Sequence, residues 1–425
     1  MKICVIGTGY VGLITGCGFA KLGHDVACID IDKSKVDMIN KGIPPIYEAG
    51  LAALLSKVAG KNLNAATDLQ SAVRNSEFVF ITVGTPSGKD GSIDLSYVKA
   101  AFAEALNAIG SGNDGRQSKI FVVKSTVVPG TTDSLAKFGE EKTGKRAGVD
   151  YGLCMNPEFL REGKALDDFF EPDRVVIGTE ENSTMERMLQ LYSGFKCPII
   201  KTNRKTAEMI KYASNSFLAV KVSFMNEVGN ICKKSGMDIY TVLEGMKHDS
   251  RIGGIFMNAG AGFGGSCFPK DVSALANYAK SSGYEPMMLN AALETNKKQP
   301  LKMVEIAKKK YGSLSGKKAA VLGIAFKPDT DDIREAPALA VINALIEEGA
   351  KITVYDPKAM ENAKKIFGES VSYADSAENA LSGSEICFIL TDWKEFKDPS
   401  LYGKVFVIDG RNVIRRKENY EGICW

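Results

Sequence analysis

The sequence predicts an α/β protein: two doubly wound domains joined by a long central helix and a helical region around it. Three observations carry this expectation. The chain opens with a strand, a helix and a second strand; the same rhythm returns after Gly316; and between the two runs an unbroken helical periodicity.

Residues 2–7 are apolar and β-rich, helical spacing continues to Leu22, and residues 24–29 form a second strand, which makes a βαβ unit. Further strands are expected at 78–83, 120–125 and 151–155, separated by helix-length segments and by turn-rich stretches such as 84–91. The first domain is expected to end near Thr202. From Arg204 to Lys234, apolar residues recur at helical spacing (Met209, Ile210, Phe217, Val220, Phe224, Val228, Ile231) without a proline, and Gly236 follows as a stop. At 1.5 Å per residue this is a helix of roughly 45 Å. The segment up to Gln299 reads as all-helical, a central connector and dimerisation region. Strand, helix and strand are then expected at Lys318–Leu322, 337–348 and Lys351–Tyr355, the last ending at Asp356. Residues 72–82 (AVRNSEFVFIT) and 380–391 (ALSGSEICFILT) are alike, so the C-terminal part repeats the N-terminal plan. The division expected is therefore 1–202, 203–299 and 300–425.

Composition bounds the function. The 425 residues are 44% hydrophobic and 25% charged, with 54 basic against 51 acidic side chains, values ordinary for a globular chain of more than one domain. The basic runs Lys308-Lys309-Lys310 and Arg415-Arg416-Lys417 are too short for a nucleic-acid stripe and read as solvated faces. No apolar stretch approaches the roughly 18 residues of a membrane helix, and the N-terminal apolar run is too short for a signal peptide. A cytoplasmic enzyme is expected, with no nucleic acid and no membrane as partner. The nine scattered cysteines read as reduced thiols, and with two histidines and no CxxC no metal site is expected.

Gly7-Thr8-Gly9-Tyr10-Val11-Gly12 fills GxGxxG between a strand and a helix, and Asp30 closes the next strand. Gly7 permits the tight turn, Gly9 the approach of a pyrophosphate to the helix N-terminus, Gly12 close packing, and Asp30 a ribose diol. The domain reads as Rossmann-like. A carboxylate there favours NAD over NADP, a preference that the nearby Lys35 weakens. The C-terminal repeat keeps Gly323 but continues as Ile324-Ala325-Phe326-Lys327-Pro328. Lys327 at a strand end suits the pyrophosphate of a nucleotide-linked substrate, and Arg334 is within reach of the cleft; ordinary surface charges are the alternative.

The segment from Gly260 to Asp271 (GAGFGGSCFPKD) places Gly260, Gly262, Gly264 and Gly265 shortly before Cys267. An isolated cysteine is more often inert packing. Glycines that let backbone amides crowd a ligand, with a thiol beside them, favour a nucleophile instead. Lys211 and Asn215 share a helix face, a solvated stripe being the alternative. Glu158 and Glu162 follow one strand end, where a salt-bridged cap is the alternative, and Ser125-Thr126 follows another, the edge at which α/β proteins gather catalytic groups.

GTGYVG, STVVPGTT, NPEFLREGKALDDFFEPDRVVIG, AEMIKYASNSFLAVK, GFGGSCFPKD, FKPDTDDIREAP and IDGRN together resemble the UDP-glucose/GDP-mannose dehydrogenase family along essentially the whole chain. The FPKD after the cysteine is closer to its UDP-glucose branch. The resemblance implies a four-electron oxidation of UDP-glucose to UDP-glucuronate with two NAD and one water, by a homodimer. It implies that Cys267 is the nucleophile, that Asp271 and Thr126 position water or the substrate hydroxyl, and that Lys211 and Asn215 stabilise oxyanions. Glu158 and Glu162 then border the active site. Cofactor contacts fall to Gly7, Gly9, Tyr10, Val11, Gly12, Asp30, Lys35, Thr85, Thr126, Glu162, Lys270 and Arg334. Substrate contacts fall to Glu158, Phe159, Leu160, Lys211, Asn215, Gly264, Phe326, Lys327 and Arg411, with Arg251 reaching the neighbouring subunit's substrate. The same chemistry on another nucleotide sugar such as GDP-mannose, a two-electron hydroxyacid dehydrogenase, and a non-catalytic NAD-binding protein are the competing readings.

Overall fold

Strand β1 (Lys2–Ile6) sends Ile3 and Val5 into one apolar core and Cys4 and Ile6 into another. A strand buried on both faces belongs at the centre of a sheet covered by helices on each side. The computed structural model describes residues 1–88, 90–109, 119–415 and 418–425, and they gather into two units, Met1–Ser214 and Asn215–Trp425. The first domain expected to end at Thr202 thus keeps its last strand, while the unit runs on into the long helix.

In the first unit β1 is followed by β2 (Asp25–Ile29), β3 (Leu63–Ala66), β4 (Phe78–Ile81), β5 (Ile120–Val123), β6 (Gly152–Met155), β7 (Val175–Gly178) and β8 (Ile199–Thr202). Among the described residues its sheet runs β3-β2-β1-β4-β5-β6-β7-β8, parallel except where β6 meets β7. Leu13, Ile14 and Cys17 of the Tyr10–Lys21 helix pack on one face, and Val98 and Phe102 of the Ser96–Asn107 helix on the other. The register sets Ile29, Ile6, Ile81, Val123 and Met155 in one row. Their successors Asp30, Gly7, Thr82, Lys124 and Asn156 therefore leave the sheet along a single carboxyl edge, where ligands of such folds bind.

The second unit holds β9 (Lys318–Leu322), β10 (Lys351–Tyr355), β11 (Ser372–Tyr373), β12 (Ile386–Ile389), β13 (Phe406–Asp409) and β14 (Tyr420–Gly422), in the order β11-β10-β9-β12-β13-β14 and all parallel. That is the order of the first six strands of the other unit. The repeat between residues 72–82 and 380–391 is structural: the short helices Leu69–Arg74 and Ala377–Leu381 feed β4 and β12, which pair with β1 and β9.

The Arg204–Lys234 helix has the expected bounds and 31 residues, and Gly236 follows it at φ 71°. The expectation that everything up to Gln299 is helical fails in part. Helices occupy Ile239–Lys247, Phe268–Ser281 and Met287–Lys298, but residues 248–267 are irregular, because their glycines carry the largest helix penalty after proline. Lys308, Lys309 and Lys310 are exposed in the last turn of the Leu301–Tyr311 helix, and of the run at 415–417 only Arg415 is among the described residues. Among the described residues no helix is long and apolar enough to cross a membrane, and no three His, Cys, Asp or Glu side chains converge as a metal would require.

Candidate active site

In the first unit the glycine fingerprint adopts the geometry its spacing implies. Gly7 lies at φ 93°, and a Cβ on Gly12 would fall 1.9 Å from the Gly7 carbonyl oxygen. The Cβ direction of Gly9 is open, with nothing within 4 Å. Gly9 opens the Tyr10–Lys21 helix without a side-chain cap, which leaves the first-turn amides to an anion. Asp30 accepts from the Thr8 amide at 2.8 Å, the Thr8 hydroxyl at 2.6 Å and the Asp32 amide at 3.0 Å. Burial pushes its carboxyl up, but those bonds and the charge of Lys35 outweigh burial and hold it below its ordinary value. Beside it Ile31 is 98% exposed, an apolar surface such as an adenine ring covers. Nothing in the sequence singles out Ile31, since a single apolar residue carries no exposure signal. A dinucleotide fits this edge.

The second unit closes the equivalent position. Asp356, after β10, is buried and accepts from the Ile324, Ala325, Lys358 and Ala359 amides and from the Trp393 indole N–H at 3.1 Å. Its lone pairs are committed within the fold, so no acceptor remains for a ribose. Lys327 sits 5.4 Å from the Phe326 ring centroid, at the same sheet edge. Arg411 donates to the carbonyls of Leu390 at 2.8 Å, Gly262 at 2.9 Å and Phe326 at 3.4 Å, and it thereby ties the glycine-rich approach of Cys267 to the Lys327 loop. Asp409 holds the turn that carries Arg411, accepting from the Arg411, Val413 and Ile414 amides; burial pushes it up to about 6. Arg334 is paired with Asp332 at 2.6 Å and Arg251 with Asp249 at 2.6 Å, both arginines largely exposed.

The glycines before Cys267 serve the packing of the protein itself. A Cβ on Gly260 would meet the Gly410 carbonyl oxygen at 2.6 Å, on Gly262 the Asn296 side chain at 2.7 Å, on Gly264 the Glu335 carbonyl oxygen at 2.4 Å and on Gly265 the Phe326 ring at 2.9 Å. They make room for protein, locking this loop against its neighbours. Seven of the nine cysteines are buried; Cys197 and Cys267 are not. Cys267 is the N-cap residue of the Phe268–Ser281 helix, its Sγ 3.6 Å from the Ser266 hydroxyl. One turn on, the buried Asp271 carboxylate accepts from Asn215 Nδ2 at 2.6 Å and Lys270 Nζ at 2.7 Å.

Lys211, Glu158, Phe159 and Leu160 meet in the first unit. Lys211 Nζ lies 2.8 Å from Glu158 Oε1 and 5.3 Å from the Phe159 ring centroid, over which Arg174 also sits at 3.7 Å. The Leu160 amide donates to Glu158 Oε2 at 2.5 Å. Lys211 and Asn215 are both buried, so a solvated stripe does not describe them, and residues 156–162 are not helical, so Glu158 and Glu162 do not form a helix cap. Thr85 is buried and Thr126 half-buried after β4 and β5. Glu162 is half-buried, and its charge is felt by Tyr10. Tyr10 donates to Glu48, which also accepts from the Gly163 amide at 2.7 Å and the Ala165 amide at 2.8 Å. Glu48 belongs to no motif, so the sequence does not single it out.

Three family models match in succession: the NAD binding domain of the UDP-glucose/GDP-mannose dehydrogenase family over residues 1–196, its central domain over 205–298 and its UDP binding domain over 320–416. The chain is 43% identical to UDP-glucose 6-dehydrogenase AglM of Haloferax volcanii, with all of both chains covered. It is 44% identical to UDP-glucose 6-dehydrogenase TuaD of Bacillus subtilis, over 98% of this chain and 90% of that one. The solved UDP-glucose dehydrogenase of Pyrobaculum islandicum superposes with a TM-score of 0.93 at 40% identity, covering 100% of this chain and 97% of its own. With the two nucleotide-binding-like sheets, the half-exposed cysteine and three domain matches in one order, the chain belongs to the UDP-glucose/GDP-mannose dehydrogenase family.

Proposed function

We propose that this chain oxidises UDP-glucose at C6 to UDP-glucuronate, with two NAD and one water, through a covalent adduct on Cys267. The observation that carries the reading is the setting of that thiol: partly exposed at a helix N-terminus, one turn from a buried carboxylate that Asn215 and Lys270 hold in place. The family matches and its relatives, UDP-glucose 6-dehydrogenases, support the substrate.

Bound NAD, held by Gly7, Gly9, Gly12 and Asp30, supplies the hydride acceptor for each oxidation. Asp271, through a water that Thr126 helps to hold, receives the proton of the C6 hydroxyl as the alcohol becomes an aldehyde. The Cys267 thiolate then bonds to the aldehyde carbon, and the oxygen takes a proton to give a thiohemiacetal. That adduct keeps one C–H bond; its loss as hydride, with the hydroxyl proton, leaves a thioester. Water adds to the thioester carbon, the C–S bond breaks, and carboxylate and thiol result. Lys211 and Asn215 face the anionic oxygen of the tetrahedral states, with Glu158 and Glu162 at the border of the site. Lys327 and Arg411 serve the UDP group, and Arg334 the cofactor.

The same reading includes a cytoplasmic homodimer and three working segments, 1–202, 203–299 and 300–425. On the long helix Phe217, Phe224 and Ile231 are 65%, 51% and 55% exposed. Seven-residue spacing puts them on one face, and a second copy is the partner inferred for it.

The test is stoichiometry. Two NADH per UDP-glucose, with UDP-glucuronate identified by mass, is expected; one NADH, or turnover only with GDP-mannose, overturns the reading. Cys267→Ser is expected to bind UDP-glucose and NAD yet release no UDP-glucuronate.

A further inference from the structure

The sheet edge that presents Thr126 and Glu158 also carries a buried cation that the proposed chemistry leaves unused. Lys124 directly follows β5 and is 6% exposed. Its Nζ donates to Asn156 Oδ1 at 3.1 Å and approaches the Asn156 carbonyl oxygen at 3.5 Å, both neutral acceptors. Asn156 is fixed from every side: its Oδ1 also accepts from the Tyr192 hydroxyl at 2.6 Å, its Nδ2 donates to the Val176 carbonyl at 2.8 Å, and its amide donates to the Val123 carbonyl at 2.9 Å. Pro157 follows with a locked φ, and Glu158 comes next.

We propose that Lys124 is a positioning residue for this reaction: it anchors Asn156-Pro157-Glu158 and, with Lys211, keeps the Glu158 carboxylate ionised. This rests on the function proposed above. Lys211 pairs with the buried Glu158 carboxylate directly, and Lys124, held on Asn156 two residues before it, adds a second positive charge to the same edge, an excess suited to an oxyanion forming beside Lys211. The groups facing Lys124 are Glu158 from the segment after β6, Lys211 from the long helix, and Cys154 of β6; Tyr192 completes the surroundings through Asn156. Burial pushes the Cys154 thiol and the Tyr192 phenol up, so both stay uncharged. Burial lowers Lys124 itself to about 8. A purely structural filler needs no charge, since methionine has a similar length and no desolvation cost.

Lys124→Met and Lys124→Arg in the full-length chain test this. Lys124→Met is expected to fall about tenfold or more in kcat with the KM for NAD within twofold. The acid limb of its pH profile should rise by about one unit as Glu158 loses a neighbouring cation, and the wild-type alkaline limb near pH 8 should be absent. Its Tm should not fall, and Lys124→Arg should recover part of kcat. An unchanged kcat and pH profile in Lys124→Met, or a lower Tm with turnover per folded molecule unchanged, overturns the proposal. A readout independent of activity separates this from failure of the function itself. Because the lysine is disfavoured as a cation in the fold, wild type should gain Tm relative to Lys124→Met between pH 7 and 10; parallel curves overturn the buried charge. Should Lys124→Met not fold, Lys124→Gln carries the same tests.

Discussion

Lys211 Nζ stands 2.8 Å from Glu158 Oε1, with the two side chains only 4% and 7% exposed. A helix residue and a loop residue far apart in sequence thus form a nearly dry ion pair. Such pairs contribute little net stability over an apolar replacement, because desolvation offsets the Coulombic gain, yet breaking one partner leaves a stranded charge.

Glu158→Gln and Lys211→Ala should therefore each destabilise by about 3 kcal/mol, and the double change Lys211→Met with Glu158→Leu should recover most of that. Turnover should stay lost in all three, with NAD affinity held within twofold. Urea unfolding beside steady-state kinetics reads both effects; recovered activity in the double variant would remove the pair from the chemistry. Burial pushes the Glu158 carboxyl up, but Lys211, the Leu160 amide and Lys124 outweigh it and leave it below its ordinary value. Its share of stability is thus present above the unfolded carboxyl pKa and is lost as pH falls through the lowered value.

Asp30 and Asp356 end equivalent strands but have opposite surroundings. Asp30 is half-exposed, while Asp356 is buried under amide and indole donors. Asp30→Ala should weaken NAD binding about tenfold or more and, by leaving the buried Thr8 amide and hydroxyl without their acceptor, also lower Tm. Asp356→Ala should lower Tm by several degrees, stranding buried donors, and leave the NAD Kd unchanged. Calorimetric titration separates the two; a weaker NAD Kd in Asp356→Ala would mean the second sheet also binds the cofactor.

The fingerprint, the long helix and the repeated sheet were legible because each is a local pattern: glycine spacing, periodicity of apolar residues, a strand ending in aspartate. Cys267 was legible through its neighbours, though the glycines prove to pack against Gly410, Asn296, Glu335 and Phe326. What the sequence hid was tertiary. Lys124 looks like any strand-end lysine until Asn156 and Glu158 arrive from another strand. Asp356 matches Asp30 in its place after the second strand of its sheet, and the indole of Trp393, 37 residues on, completes its commitment to the fold.

Glu208 is a third such residue. From the long helix it accepts the Gly130 amide at 2.5 Å, the Thr132 amide at 2.7 Å and the Thr132 hydroxyl at 2.6 Å. It thus caps the Thr131–Thr143 helix, whose own N-cap is a glycine. Glu208→Ala should cost about 1–2 kcal/mol, the range of a lost cap. Burial pushes Glu208 up to about 7 against those donors. A raised carboxyl contributes stability that is full below its unfolded pKa and is lost as pH rises through the folded value. The urea midpoint of wild type relative to Glu208→Gln should decline between pH 5 and 8; a flat difference would mean the carboxylate is ionised throughout.

The exposed row Phe217, Phe224 and Ile231 gives the proposed dimer a direct test. Phe224→Glu puts a carboxylate at the middle of the row, and burying two of them across a symmetric contact costs several kcal/mol. Sedimentation should then find a monomer that keeps its Tm within a few degrees, since Phe224 is 51% exposed within its own chain. Arg251, itself 87% exposed at the side chain and paired with Asp249, is proposed to reach the partner's substrate. The monomer should therefore lose UDP-glucose affinity, as Arg251→Ala is expected to in the dimer, while NAD affinity stays unchanged. A Phe224→Glu protein that remains dimeric would move the interface elsewhere, and a fully active monomer would remove Arg251 from the site.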